Sequence, residues 1–146
     1  MRVGLIPSSD AVGMRRAILR PEAESNDGVV YPEDQLETTA TYGIYDAGRL
    51  VSVGTIMLSP HPDLQEGSAW RIRGMATEPG HRSRGLGTEI LEALLAHATD
   101  RGGDRVWCNA RVQARPFYER HGFVTRGDVF LTAGDRPHYL MDLDLR

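Results

Sequence analysis

Arg82-Ser83-Arg84-Gly85-Leu86-Gly87-Thr88 sets two arginines before two glycines, and an apolar helical pattern follows. Leu86, Ile90, Leu91, Leu94, Leu95 and Ala98 recur at the spacing of one helix face. The first turn of a helix has backbone N–H groups without a partner inside the helix, and aligned peptide dipoles leave that end partly positive. Such an end binds anions. Gly85 and Gly87 lack a Cβ, so a phosphate can approach the backbone closely. Arg82 and Arg84 add charge and fork onto phosphate oxygens. These seven residues therefore suit the cradling of a phosphate or pyrophosphate. They are not a P-loop, because no lysine follows Gly87, nor a dinucleotide fingerprint, because Ile90 stands where a third glycine belongs. Taken alone, Gly-x-Gly also reads as a tight turn opening a helix.

The elements around the cradle follow from periodicity and punctuation. Ser68 to Thr77 alternates as a strand, with Trp70, Ile72, Gly74 and Ala76 expected on one face and Arg71, Arg73, Met75 and Thr77 on the other. Gly74 in mid-strand marks a bulge or a close backbone approach. The cradle helix stops near Arg101-Gly102-Gly103 with a glycine cap. Arg105 to Ala110 is the next strand. Trp107, Asn109 and then Arg111 share one face, and Cys108 lies on the other with Val106 as a small buried hydrophobe. Val112 to Arg120 forms a helix that Pro116 kinks or delays.

Upstream, Val3 to Ile6 is a short strand. Ser8, Ser9 or Asp10 caps a helix that ends before Pro21. Residues 21 to 38 form a long polar loop with at most one helical turn near Glu33 to Glu37, and a loop of that length is a candidate substrate-facing segment. Thr39 to Tyr45 and Leu50 to Leu58 make a hairpin around Asp46-Ala47-Gly48. Residues 59 to 67 are loop, with His61 exposed between two prolines. Phe123 to Thr132 and Tyr139 to Leu145 are two final strands around the turn Ala133-Gly134-Asp135-Arg136-Pro137. The alternation of strands and helices is that of an α+β sheet protein in a single domain, residues 1 to 146.

Bulk properties narrow the class. A net charge of −3 and a pI of about 5.9 give no basic footprint for nucleic acid. No apolar run approaches the ~20 residues that cross a bilayer, so no membrane partner is expected. Met1 to Pro7 is too short and too soon broken for a signal peptide. The lone Cys108 forms no internal disulfide, in keeping with a cytoplasmic location. His61, His81, His97, His121 and His138 show no ligand spacing, so no metal is expected. No Ser-His-Asp or Cys-His nucleophile is supported either.

Two segments resemble one family, the GNAT-type acyl-CoA-dependent N-acetyltransferases. The strand Arg71-Ile72-Arg73-Gly74-Met75-Ala76-Thr77 leading to Arg82-x-x-Gly85-x-Gly87 is similar to that family's strand and pyrophosphate loop. Phe117-Tyr118-Glu119-Arg120-His121-Gly122-Phe123 resembles its Phe-Tyr-Glu-Lys-x-Gly-Phe segment. Order and spacing agree over residues 68 to 124. The resemblance implies a GNAT-like domain: a mixed, mostly antiparallel twisted sheet of about six or seven strands flanked by about four helices. It implies acetyl-CoA as co-substrate and direct attack by a primary amine of a small molecule or peptide in one ternary complex. The backbone of Met75, Ala76 and Thr77 would pair with the pantetheine arm. A backbone N–H of Met75 or Ala76 would hold the developing oxyanion. Amides from Arg82 through Ser83, Arg84, Gly85, Leu86 and Gly87 to Thr88 would hold the pyrophosphate, with Phe117 beside the cofactor or in the core. Tyr118 matches the family's general acid for the departing thiolate.

Arg111 stands where the family often has Asn or Gln against the pantetheine; it would reach a CoA phosphate or a substrate acid instead, and Asn109 on the same face either substitutes or caps the strand end. For the amine's proton, Glu78, Glu33, His138 or a water chain are the candidates. Two other readings stand beside this one: a non-catalytic acyl-CoA-binding module, and a nucleotide-binding domain that would take ATP or NAD. Exposed strand edges in the last hairpin would allow a homodimer.

Overall fold

The computed structural model describes every residue except Gln65, Glu66, Ala133 and Asp135. The loop expected over 59 to 67 and the turn over 133 to 137 thus lie partly outside the described residues. Seven strands form one sheet: β1 (Val3–Ile6), β2 (Ala40–Asp46), β3 (Arg49–Leu58), β4 (Ala69–Thr77), β5 (Arg105–Arg111), β6 (Val124–Thr132) and β7 (Arg136–Asp144). Their order is β1-β2-β3-β4-β5-β7-β6. β4 and β5 run parallel, and the other neighbours pair antiparallel. Three α-helices accompany them: α1 (Val12–Met14), α2 (Leu86–Asp100) and α3 (Arg115–Arg120). A 3-10 turn over Ser8–Ala11 runs into α1, which continues as a π-helical stretch over Arg15–Leu19. The turn expected near Glu33 is a 3-10 helix over Pro32–Gln35, so the described residues hold one α-helix fewer than the expected four.

α2 explains most of the core. Its stripe Leu86, Ile90, Leu91, Leu94 and Ala98 is buried against Ile44, Ile56, Trp70, Ile72 and Val106 of the sheet. Each fully buried Leu or Ile contributes roughly 1.5–3 kcal/mol. Gly54 lets helix and sheet approach: a Cβ there would sit 2.5 Å from Met75 Sδ and 2.7 Å from Ile90 Cγ2. The helix ends as expected, with Gly102 in the left-handed region at φ +75° and Gly103 N–H donating to the Ala98 carbonyl at 2.8 Å. α3 starts at Arg115 with Pro116 in its first turn, the late start that proline imposes.

The strand that precedes the cradle departs from plain alternation. Thr55 faces Arg73 while Val53 faces Ala76, so β4 carries one extra residue there, and Gly74 takes φ +68°. The bulge reverses the side-chain phase. Trp70, Ile72 and Met75 pack on the α2 side, whereas Ala76 joins Ala11 and Val53 on the opposite face. This corrects the expected pairing of Ala76 with Trp70 and of Met75 with Arg71. A strand pattern read at period two cannot carry its phase across a bulge.

His97 sits within α2's buried stripe, its Nδ1 3.1 Å from the Tyr42 hydroxyl and its ring edge-on to Trp70. Burial, and next the charge of Arg101, lower its pKa, against weaker opposing effects of the Thr38 backbone and Asp100. A lowered folded-state pKa means that the unfolded chain takes up a proton that the fold resists. The stability His97 contributes is therefore present above its unfolded pKa of ~6.5 and lost as pH falls below it. Urea midpoints should drop between about pH 7.5 and about pH 5, and His97→Gln should flatten that drop. An identical drop in the variant would assign it to other groups.

Candidate active site

β4 and β5 pair over only three positions, Ala69–Arg105, Trp70–Val106 and Arg71–Trp107, and then diverge. The divergence opens a cavity of about 430 Å³. Arg71 to Met75 form one wall and Cys108 to Arg111 another; Tyr118 of α3, Tyr31 of the long loop and His138 of β7 complete it. The parting strands leave one edge of β4 free. The Glu78 N–H donates to the Val51 carbonyl at 2.8 Å, and Val53 lies opposite Ala76. Antiparallel pairing then turns the Ala76 backbone groups toward β3 and those of Met75 and Thr77 toward the open edge. Of the three backbones expected to meet a pantetheine arm, those of Met75 and Thr77 face the open edge, with the Thr77 carbonyl already accepting from Arg82, and that of Ala76 faces β3.

That edge leads to the cradle. Arg82 Nε donates to the Thr77 carbonyl at 3.2 Å. Ser83 and Gly85 both take positive φ, +65° and +78°, so the chain curls into a concave loop before α2 begins. The first helical bond runs from Glu89 N–H to the Gly85 carbonyl at 3.1 Å. The N–H groups of Leu86, Gly87 and Thr88 therefore have no intrahelical acceptor. Arg82, Ser83, Arg84 and Gly85 are exposed around them. Phe117 lies beside this loop, its ring in ordinary contact range of a Cβ on Gly87, at 3.5 Å.

Tyr118 is buried and reaches the cavity, packed edge-on against Phe117 and Phe123. Burial first, and then Cys108 beside it, push the phenol pKa well up. Cys108 is pushed up to about 12, chiefly by burial. It is thus the inert core thiol expected, although it also lines the cavity. In the native protein, iodoacetamide should modify it more than a thousandfold more slowly than in urea at about pH 8. Comparable rates would show that the thiol is open to solvent.

Asn109 also lines the cavity, and its Oδ1 is buried without a hydrogen-bond partner. Such an acceptor fits an amide N–H of a pantetheine chain. Arg111 lines the cavity, and its Nη2 donates to the Leu19 carbonyl at 2.5 Å, at the end of the π-helical stretch. Of the four proton-acceptor candidates, His138 faces the cavity. Its Nδ1 lies 2.9 Å from the Arg136 carbonyl. The Thr132 hydroxyl lies 3.2 Å from the same nitrogen; in the tautomer that donates from Nδ1 to the carbonyl, Nε2 keeps a lone pair. Glu78 instead pairs with Arg49, and neither it nor Glu33 lines the cavity. Sequence reasoning flagged the long loop but not Tyr31 within it, nor the inward turn of Arg20, Arg73 and Arg136. Among the described residues no group of three or more His, Cys, Asp or Glu is placed to hold a metal ion, and no helix is long and apolar enough to cross a membrane.

Comparison with known proteins agrees with this geometry. The acetyltransferase (GNAT) family model matches residues 14–123. An uncharacterized N-acetyltransferase of Bacillus subtilis (strain 168), YitI, is 32% identical over 146 residues, covering 100% of this chain and 97% of that protein. The crystal structure of an aminoglycoside 6'-N-acetyltransferase complexed with coenzyme A superposes with a TM-score of 0.78 at 16% identity, over 99% of this chain and 97% of that one. FeeM, an N-acyl amino acid synthase from uncultured soil microbes, gives a TM-score of 0.81 at 12% identity, over 99% and 95%. The splayed strands, the glycine cradle and the match along most of its length place this chain in the GNAT family of acetyltransferases, and it is an acyltransferase.

Proposed function

We propose that the protein transfers the acetyl group of acetyl-CoA to a primary amine of a small molecule or peptide by direct attack within one ternary complex. The observation that carries this reading is the edge of β4 left unpaired by β5 beyond Arg71, which runs along the cavity to Thr77, where Arg82 of the cradle closes on the Thr77 carbonyl. The co-substrate supplies a thioester, whose carbonyl carbon accepts the amine and whose sulfur departs as a thiolate. The N–H groups of Leu86, Gly87 and Thr88, with Arg82 and Arg84, hold the pyrophosphate. Met75 and Thr77 pair through their backbones with the pantetheine amides, and Asn109 Oδ1 accepts a further N–H. The Met75 N–H, just past the bulge, donates to the thioester oxygen as negative charge develops there. His138 Nε2 takes the proton from the ammonium or the attacking nitrogen.

Tyr118 donates the last proton. In water a phenol near ~10 and a thiol near ~8.5 are close enough for transfer. Burial raises the Tyr118 phenol, and it raises the Cys108 thiol in the same wall. Desolvation would raise the proton affinity of a departing thiolate in the same way, and Tyr118 stays protonated at neutral pH.

Calorimetry with acetyl-CoA, CoA, ATP and NAD tests the first half. Binding of the two CoA species and not of ATP or NAD is the expected result. A thiol-release assay over an amine panel tests the second half. Absence of binding to any CoA species would end the reading.

A further inference from the structure

We propose that the acceptor amine also carries an acidic group, a carboxylate or a phosphate, held by arginines on the α1-side wall of the cavity. This rests on the transferase reading above and names the class of its acceptor. Five arginines line the cavity, Arg20, Arg71, Arg73, Arg111 and Arg136, and among the described residues no Asp or Glu does. The chain as a whole is acidic, with 17 basic against 20 acidic residues. The positive charge is therefore concentrated at this wall against the overall balance.

How the fold treats its other inward arginines sharpens the point. Arg15 is fully buried and meets Asp34 at 2.8 Å. Arg105, from within the fold, and Arg126, from the surface, close on the buried Asp142, at 2.5 and 2.6 Å. Where arginine serves packing here, a carboxylate answers it. At the cavity wall Arg136 pairs with Glu22 and Arg111 donates to the Leu19 carbonyl. Arg20, Arg71 and Arg73 make no ion pair among the described residues. Arg73 lies over the Tyr31 ring at 4.0 Å and Arg71 over the Trp107 ring at 4.8 Å. Stacking fixes each guanidinium plane and leaves its in-plane N–H groups to be satisfied by something else. Arg71 Nε is buried without an acceptor, as is Arg15 Nε, but among the described residues Arg71 has no carboxylate on its other nitrogens. Burial and then Arg73 lower the pKa of Arg71, with Glu33 nearby opposing, and burial and then Arg20 lower that of Arg111. Like charges held together in this way are relieved by an anion.

The donor's phosphates do not account for the set. The cradle opens α2, whereas Arg71 and Arg73 lie on the face of β4 opposite Trp70 and Ile72, which pack against α2. An acid held at Arg71 and Arg73 leaves the amine between them and the slot, within the cavity that His138 and Tyr118 share. Polycationic amines are disfavoured at the same wall.

The test uses the full chain in two arms. First, calorimetry measures inorganic phosphate and succinate binding to protein already saturated with CoA, so that the cradle is filled. Saturable binding of at least one, weakened tenfold or more in Arg71→Gln/Arg73→Gln and in the single variant Arg20→Gln, is expected. The single variant keeps the test open if the double variant folds poorly. Second, kcat/KM is compared for amines paired with and without the acid: amino acids against their amides, and amino sugars against their phosphates. A preference of tenfold or more for the acidic member is expected, and the pair that shows it tells carboxylate from phosphate. No anion binding to the CoA-loaded protein, binding unchanged in both variants, or equal turnover of neutral partners would overturn the proposal while leaving the transferase reading intact. Failure of CoA itself to bind would instead remove the transferase reading.

Discussion

Tyr118→Phe is expected to lower kcat about a hundredfold or more while the acetyl-CoA Kd stays within about threefold. The hydroxyl is the only atom removed. The ring keeps its contacts with Phe117 and Phe123, so the core around α3 should hold. What is lost is a buried proton donor on the cavity wall, pushed by desolvation into its protonated form. Losing its interaction with Cys108 costs stability of order 1 kcal/mol, which a melting curve separates from the rate effect. A second variant separates the roles further. His138→Gln should lower kcat/KM by removing the imidazole placed to take the amine's proton, and Tyr118→Phe should leave that step in place. A kcat for Tyr118→Phe within about threefold of the wild type would return this tyrosine to the role of a core aromatic.

Arg15→Met is expected to cost about 3–5 kcal/mol and to lower Tm by roughly 10 °C. Arg15 is completely buried, and its guanidinium donates to Asp34, to the Val29 carbonyl at 2.8 Å and to Thr55 Oγ1 at 2.8 Å. Its plane lies 4.0 Å from the Tyr31 ring centroid, as does that of Arg73, so the Tyr31 ring meets both. Removing the cation strands a carboxylate whose side chain is only 3% exposed. The effect should reach function too, because Val29 and Tyr31 belong to the cavity wall and lose their tether. The acceptor KM should rise more than the acetyl-CoA Kd. Arg15→Met/Asp34→Leu should recover much of the loss by removing the unpaired charge. A single-variant loss below about 1 kcal/mol would mean that the pair does not hold the loop.

Both predictions depend on residues of quite different legibility. The cradle could be read in the sequence because its parts are near neighbours in the chain. Two glycines, two arginines and a 3.6-residue apolar stripe are local patterns, and the helix, its cap and its unpaired amides follow from them. The hairpin at Ala47-Gly48 and the late start of α3 at Pro116 were legible for the same reason: backbone sterics act over two or three residues. Tyr118 and Asn109 were found through a motif and a shared strand face, and both line the cavity.

Other features were decided only by the tertiary structure. Gly74 announced a bulge, but not which way side chains would point beyond it, because the phase depends on how β4 slips against β3. The partnership of Arg15 with Asp34 spans 19 residues, and no periodicity connects them. The arginine wall gathers positions 20, 71, 73, 111 and 136 onto one cavity. Sequence alone determined the strands, the long helix α2 and the glycine loop that opens it, because these answer to local geometry. The acceptor side of the cavity was settled by the sheet's crossover order and by the divergence of β4 from β5, which bring distant charges together at separations that no local rule encodes.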